Sequence, residues 1–223
     1  MKVLRYNTAI FDFDGTIVDS FLGIAKSVRH ALIKTKGIWI DDLETFKSFV
    51  GPPLHHSFTK VLEMSESQAA EAIQYFRERY GTVGYRECEV YDGITEMLSE
   101  LRANGIKTAL ASSKSEDMLK KIIVDKNLTS YFDIVLGISD IVKHETKADL
   151  IVSSMSSLSA LPGETVMIGD RVYDAEGAKE AGVDFIGALY AGYGTKEEFL
   201  NYPYILLAEN VSEIKQAILQ EIT

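Results

Sequence analysis

Six short apolar runs, TAIFDF (8–13), KTALAS (107–112), FDIVLG (132–137), TVMIG (165–169), DFIGAL (184–189) and YILLA (204–208), constrain this chain more than any other feature. They are too short for independent helices and mostly do not alternate polar with apolar residues, which is the pattern of strands buried on both faces. Between them lie apolar stripes at helical spacing. Ile94, Met97, Leu98 and Leu101 form one, stopped by Gly105; Met118, Leu119, Ile122 and Ile123 form a second. Leu150, Ile151, Ser154, Met155 and Leu158 form a third, and Val211, Ile214 and Ile218 the last. Strand and helix in alternation predict right-handed βαβ units, and so an α/β fold whose core is a Rossmann-like parallel sheet with helices on both faces.

The alternation fails once. About ninety residues separate the first run from the second, several times what one crossover helix requires. Within that interval residues 20–35 (Leu22, Ala25, Val28, Leu32) and Ser65 to Tyr80 read as amphipathic helices, the latter opened by a capping box in which Gln68 answers Ser65. With no β-rich run between them, the expectation is an inserted α-helical cap domain over residues 17–86, in a core made of 1–16 and 87–223. VGPPLHHSF (50–58) reads as the least helical part of the cap, Gly51 with Pro52 and Pro53 as a tight loop, and Tyr75, Phe76 and Tyr80 as internal packing.

The bulk properties narrow the function. Of 223 residues, 46% are hydrophobic, and 33 acidic against 23 basic residues give a net charge of −10, which opposes binding to nucleic acid or to an anionic membrane. Cys88 stands alone, so it forms no internal disulfide and reads as buried filler rather than a metal or redox group. The N-terminal MKVLRYNTAIF lacks a signal-peptide pattern, and no run reaches the roughly 18 apolar residues of a membrane helix. A soluble, cytoplasmic, monomeric or homodimeric protein is expected.

In an open parallel sheet, ligands bind beyond the carboxyl ends of the strands. That rule selects Asp12, Asp14 and Gly15 after the first strand and Ser112 and Ser113 after the second. It adds Lys147 at the start of the helix after the third, and Asp170 and Asp174 after the fourth. Singly, each has a plain structural reading: Asp-Gly is a turn, Ser112 a helix cap, Lys147 a solvated charge, Asp174 a group favouring a helix start. Their convergence at one end of one sheet favours chemistry. Carboxylates crowded together repel and resist desolvation unless a cation compensates them, and with no His or Cys nearby a hard, oxygen-seeking Mg²⁺ suits them. A lysine, a serine hydroxyl and the backbone amides of Gly15 and Ser113 complete a clamp for a phosphoryl group.

DFDGT (12–16), the serine ending the second run, Lys147 and GDRVYD (169–174) together resemble the four motifs of the haloacid dehalogenase-like (HAD) phosphatase superfamily. The helical insertion is similar to that of phosphoglycolate phosphatases and β-phosphoglucomutases. GPPLHHSF and ALYAGYGTKEEF look most like the phosphoglycolate phosphatase-like branch. The resemblance implies that Asp12 is the nucleophile, forming an aspartyl phosphate, while Asp14 protonates the leaving oxygen and then activates water. It implies Mg²⁺ held by Asp12, the Asp14 carbonyl, Asp170 and Asp174, with Gly15, Ser112, Ser113 and Lys147 on the phosphate.

Where many relatives carry a lysine before proline, this chain has VKHETKADLI, offering Lys143 and Lys147; Lys147 is preferred because it opens the helix. A dehalogenase needs neither Asp14 nor a metal and is disfavoured. The expected activity is Mg²⁺-dependent hydrolysis of a small phosphomonoester, phosphoglycolate-, nucleoside monophosphate- or sugar phosphate-like. A β-phosphoglucomutase-like phosphomutase and a catalytically silent phosphate-binding regulator are the alternatives. The cap is expected to gate the site by hinges near 17–20 and 84–90, with His55, His56, Lys47, Arg79 and Arg86 as candidate substrate contacts.

Overall fold

The computed structural model describes residues 4–138 and 146–221. In chain order the elements are β1 (Thr8–Phe11), β2 (Val18–Asp19), α1 (Phe21–Lys36), α2 (Leu54–His56), α3 (Glu66–Thr82), β3 (Glu89–Val90) and α4 (Ile94–Ala103). They continue with β4 (Lys107–Ser115), α5 (Glu116–Asp125), β5 (Ile134–Ile138), α6 (Lys147–Leu158), β6 (Thr165–Gly169) and α7 (Val172–Ala181). The last are β7 (Asp184–Ala188), α8 (Lys196–Phe199), β8 (Leu206–Ala208) and α9 (Val211–Ile218). By density of contacts the chain divides into two compact units, residues 1–17 with 90–223, and Val18–Glu89.

The larger unit is built on a six-stranded sheet in the order β5-β4-β1-β6-β7-β8, whose neighbouring strands all run parallel. Each of the six apolar runs supplies one strand. β1 lies in the middle because β4 and β5 add on one side of it and, after the chain reverses its winding, β6, β7 and β8 add on the other, each through a right-handed crossover. β1 pairs with β4 from Thr8↔Lys107 to Phe11↔Leu110 and with β6 from Thr8↔Thr165 to Phe11↔Ile168, so Phe11 lies level with Leu110 and Ile168 and the residues that follow each emerge at the same end of the sheet. Ile10, Ala109, Ala111 and Met167 from the sheet pack with Leu150, Ile151, Ala175 and Phe185, an apolar layer without solvent contact that makes the strand ends rigid.

Strand boundaries depart from the runs by up to three residues. β4 runs three residues past Ser112, to Ser115, with a shift of register between Ser112↔Gly137 and Ser115↔Ile138. At the other margin, only the last three residues of YILLA pair, as edge strand β8.

In the smaller unit α1 packs on α3, burying Ala25, Val28, Ala31 and Leu32 of one and Ala69, Ala72, Phe76 and Tyr80 of the other. The capping box forms as read: the Ser65 amide donates to Gln68 Oε1 at 3.1 Å and the Gln68 amide to Ser65 Oγ at 3.4 Å. Phe76 and Tyr80 stack at 5.3 Å inside the unit, and the Cys88 thiol lies buried against the Tyr85 carbonyl at 3.2 Å. Asp19 caps the start of α1, its Oδ1 accepting the Phe21 amide at 3.0 Å.

The segment 50–58 is not the least helical part. Leu54–His56 is α-helical and Ser57–Val61 continues as a π-type turn, while 37–42 is irregular. Pro53, with φ −57°, is already set for a helix start, so the two prolines open a helix instead of preventing one. Among the described residues, no helix is long and apolar enough to cross a membrane.

Arg79, a candidate substrate contact by sequence, is held within the unit. Its guanidinium binds both Glu87 oxygens at 2.9 and 3.2 Å and the Ser27 hydroxyl at 3.1 Å, and Lys26 meets Glu87 at 2.8 Å. Burial works to raise the Glu87 carboxyl, but the hydrogen bonds from Arg79 and Lys26 outweigh it and hold the group below its ordinary 4.5. A depressed carboxyl stabilises the fold fully above its unfolded value and loses that contribution as pH falls through the folded one. Glu87→Gln is therefore expected to lower stability by about 1–3 kcal/mol at pH 7, with the difference from wild type shrinking below pH 4.5. Urea titrations across that pH range measure it.

Candidate active site

The site is assembled at the carboxyl ends of β1, β4 and β6 and the start of α6. β1 remains in ladder one residue beyond its last pair, the Asp12 amide donating to the Ile168 carbonyl at 2.8 Å. The chain then turns, with the Ile17 amide returning to the Phe13 carbonyl at 2.9 Å. Gly15 takes φ 78°, and a Cβ there would lie 2.2 Å from Asp170 Oδ2, so only glycine allows the turn and this close approach together.

Lys147 is the first residue of α6, behind a capping box in which Thr146 and Asp149 exchange hydrogen bonds at 2.9 and 3.2 Å. This fixes its side chain, whose ammonium reaches Asp12 Oδ1 at 2.8 Å, the Ala111 carbonyl of β4 at 2.8 Å and Asp174 Oδ1 at 2.9 Å. Asp174 sits in the first turn of α7, where its other oxygen accepts the Arg171 amide at 3.1 Å. Asp174 thus does serve a helix start, as its position suggested, and the active-site cluster as well.

Asp12, Asp170 and Asp174 are all buried, and one carboxylate oxygen from each lies within 4.8 Å of the others. Burial, helped by Asp174 and Asp12, pushes the Asp170 carboxyl well above its ordinary range. Burial also pushes Asp12 up, to about 6, with Lys147 pulling against it and Asp174 adding to it. For Lys147, burial disfavours the charge, but Asp12 and Asp174 more than compensate and hold its ammonium protonated. Asp170 Oδ2 accepts no hydrogen bond although it is buried. A buried, partnerless oxygen beside two further carboxylates, with no nitrogen or sulfur donor, fits a hard divalent cation such as Mg²⁺.

Asp14 contributes no carboxylate oxygen to that trio. Its Oδ2 instead pairs with Lys114 at 3.0 Å, while its Oδ1 is buried without a hydrogen bond. Ser112 is buried at the last regular pair of β4, its hydroxyl accepting the Lys114 amide at 3.3 Å, and Ser113 follows in the shifted register, half-buried. Lys143 lies outside the described residues.

Three participants received no role from the sequence: Thr16 and Lys114, which stand at the ends of the first and second strands, and Tyr190. The Thr16 hydroxyl donates to Asp170 Oδ1 at 3.3 Å, and the Tyr190 hydroxyl donates to the Thr16 carbonyl. Tyr190 packs edge-on to Tyr91 at 5.2 Å, and its phenol is held above the ordinary range by burial and by Asp170. GYGTKEEF is a loop leading into α8, as read. It also packs directly on the main chain of Asp170, since a Cβ on Gly194 would fall 1.8 Å from the Asp170 carbonyl oxygen. Of the other candidate substrate contacts, exposed His55 pairs with Glu66 at 2.7 Å and Arg86 lies over the Tyr85 ring at 5.1 Å.

The profile of the haloacid dehalogenase-like hydrolases matches residues 9–188, which include Asp12, Asp14, Lys147, Asp170 and Asp174. The chain belongs to that family. As a haloacid dehalogenase-like hydrolase it is an enzyme, and its relatives and structural neighbours include phosphatases. It is 32% identical over 215 residues to a 5'-nucleotidase of Pseudomonas aeruginosa, covering 96% of each chain. It is 32% identical over 212 residues to the tyrosine-protein kinase PtkA of Mycobacterium tuberculosis, covering 94% of this chain and 71% of that one. The crystal structure of a predicted phosphatase from Clostridium acetobutylicum superposes with a TM-score of 0.88 at 39% identity, covering 96% of this chain and 98% of the other. The parallel-sheet α/β fold expected from the sequence is the fold of this hydrolase family.

Carboxyls raised above their ordinary values weaken the fold wherever they are ionised. Their contribution is full below the ordinary 3.8 and is lost as pH rises through the folded value, about 6 for Asp12. In this hydrolase, Asp170→Asn is expected to stabilise the metal-free protein at pH 7 by about 1–3 kcal/mol, because it removes a buried charge from a crowd of like charges. The gain should vanish near pH 4, where the wild-type group is protonated. Denaturant titrations in EDTA at the two pH values decide it.

Proposed function

We propose that this hydrolase is a Mg²⁺-dependent phosphatase acting on a small phosphomonoester through an aspartyl phosphate on Asp12. What supports the reading above all is the Lys147 ammonium, buried between Asp12 and Asp174 with Asp170 alongside. A carboxylate must be kept ionised and shielded if it is to attack an anionic phosphate, and a fixed cation against one of its oxygens does both. The nucleotidase name of a relative aligned along 96% of each chain agrees with a small phosphomonoester as substrate.

In the first half-reaction an Asp12 oxygen forms a bond to phosphorus, the bond to the leaving oxygen breaks, and Asp14 gives that oxygen a proton. In the second, Asp14 takes a proton from water, the water oxygen bonds to phosphorus, and the Asp12–phosphorus bond breaks. Ser112, Ser113, Lys147 and the Gly15 turn hold the phosphoryl oxygens through both steps. Asp12, the Asp14 carbonyl, Asp170 and Asp174 would hold Mg²⁺, which when bound would supply positive charge to offset the negative charge of the transferring group. We assign the role of cap to the helical Val18–Glu89 unit.

Phosphate release from a panel of phosphomonoesters tests this reading. Activity should require Mg²⁺, disappear in EDTA and return on Mg²⁺ addition. Asp12→Asn should lower turnover about a thousandfold or more on every substrate. Asp14→Ala should also lose turnover while still binding Mg²⁺ and phosphate, seen as retained thermal stabilisation by the two together. Equal phosphate release by wild type and Asp12→Asn would overturn the assignment.

A further inference from the structure

The stretch ALYAGYGTKEEF, which leaves the sheet after β7, takes no part in the reaction steps given above, yet it meets Asp170 twice. β7 runs beside β6 as far as Gly169↔Gly187, so the residues that follow the two strands emerge at neighbouring positions, Asp170 from β6 and Tyr190 from β7. Gly194 lies against the Asp170 main chain, where a Cβ would meet the carbonyl oxygen at 1.8 Å. Tyr190 reaches the Asp170 side chain through an intermediary. Its hydroxyl donates to the Thr16 carbonyl, and the Thr16 hydroxyl donates to Asp170 Oδ1 at 3.3 Å.

The phenol is itself fixed in place. Its ring packs edge-on against Tyr91 at 5.2 Å, and the Tyr91 amide donates to the Ile17 carbonyl at 3.1 Å, so two tyrosines grip consecutive carbonyls of the turn after β1. Burial and the Asp170 charge hold the phenol protonated, which keeps it a donor. Thr16 is fully buried, and its hydroxyl has one proton to give, here to Asp170 Oδ1. Asp170 Oδ2 is left buried without a hydrogen bond, against the Gly15 main chain. One oxygen of this carboxylate is thus engaged by the protein, and the other is left for a cation.

Mg²⁺ accepts only a near-octahedral set of ligands, whereas Ca²⁺ takes more oxygens and readily uses both of one carboxylate. A carboxylate pinned through one oxygen suits the first ion, and one free to rotate suits the second. We propose that Tyr190 is a positioning residue for the metal site: through Thr16 it fixes which oxygen Asp170 presents, and so sets both the affinity for Mg²⁺ and the preference for Mg²⁺ over Ca²⁺. The assignment rests on the metal-dependent reading above and adds to it a residue outside the ligand set.

The test follows the thermal unfolding midpoint of the full chain, first freed of metal with EDTA, as Mg²⁺ or Ca²⁺ is added, which yields a Kd for each ion. Wild type is compared with Tyr190→Phe, Thr16→Val, Thr16→Ser and the double variant of Tyr190→Phe with Thr16→Val. Each protein is its own metal-free reference, so a change in fold stability alone does not enter. Tyr190→Phe keeps the ring against Tyr91 and removes only the hydroxyl; it should raise the Mg²⁺ Kd about tenfold and the Ca²⁺ Kd less than about threefold. Thr16→Val should do the same, and the double variant should bind Mg²⁺ no more weakly than the weaker single variant, because both substitutions break one chain of hydrogen bonds. Thr16→Ser keeps the hydroxyl and should bind both ions as wild type does. An unchanged Mg²⁺ Kd in Tyr190→Phe overturns the proposal, and so does an equal loss for both ions, which marks a residue that merely supports the fold. Losses that multiply in the double variant overturn it too, since the two side chains then act separately. If Thr16→Val fails to fold, Tyr190→Phe and Thr16→Ser still decide. A wild type that binds no Mg²⁺ overturns the metal-dependent reading and this assignment with it, whereas wild-type binding that Tyr190→Phe leaves unmoved overturns this assignment alone.

Discussion

The Lys147 ammonium is the charge on which the site depends. Removing a cation from water is costly unless strong acceptors replace its hydration, and here two carboxylates and a main-chain carbonyl do so at 2.8 to 2.9 Å. Those acceptors come from the ends of β1 and β4 and the first turn of α7, so one side chain ties three loops to the start of α6. Without it, Asp12, Asp170 and Asp174 would face one another with nothing but each other's charge. The shared register of β1, β4 and β6 is what puts the acceptors within its reach.

That arrangement is paid for in stability. Asp170 is fully buried with one oxygen unpartnered, and both it and Asp12 are driven toward the protonated form. A core selected for stability alone would place apolar side chains here. The surrounding structure instead absorbs the strain through rigid apolar packing beneath the strand ends and through the Tyr190–Thr16–Asp170 chain of hydrogen bonds. Sites that must bind a cation and an anionic substrate commonly carry such local frustration.

The larger fold was legible because its signals are local. Short unalternated apolar runs become buried strands by composition, and each of the six lies within a few residues of its strand. The capping boxes at Ser65 and Thr146 are formed by residues three apart, so a linear reading reaches them; the first was read, and the second accounts for the position of Lys147 at the start of α6. The segment 50–58 misled because proline is ambiguous in sequence: it stops a helix from within and starts one from its first turn.

The sequence alone determined the alternating architecture, the large insertion and the grouping of Asp12, Asp14, Ser112, Lys147, Asp170 and Asp174, since a parallel sheet delivers all its strand ends to one edge. Only the tertiary structure decided which cation meets which carboxylate. Lys114 pairs with Asp14 because β4 overruns its expected end and shifts register, and Arg79 is held by Glu87 within the helical unit. Tyr190 reaches Thr16 across 174 positions of sequence. Backbone propensity and hydrophobic pattern are set by near neighbours, whereas the partner of a buried charge is set by whichever opposite charge the completed fold brings within about 3 Å.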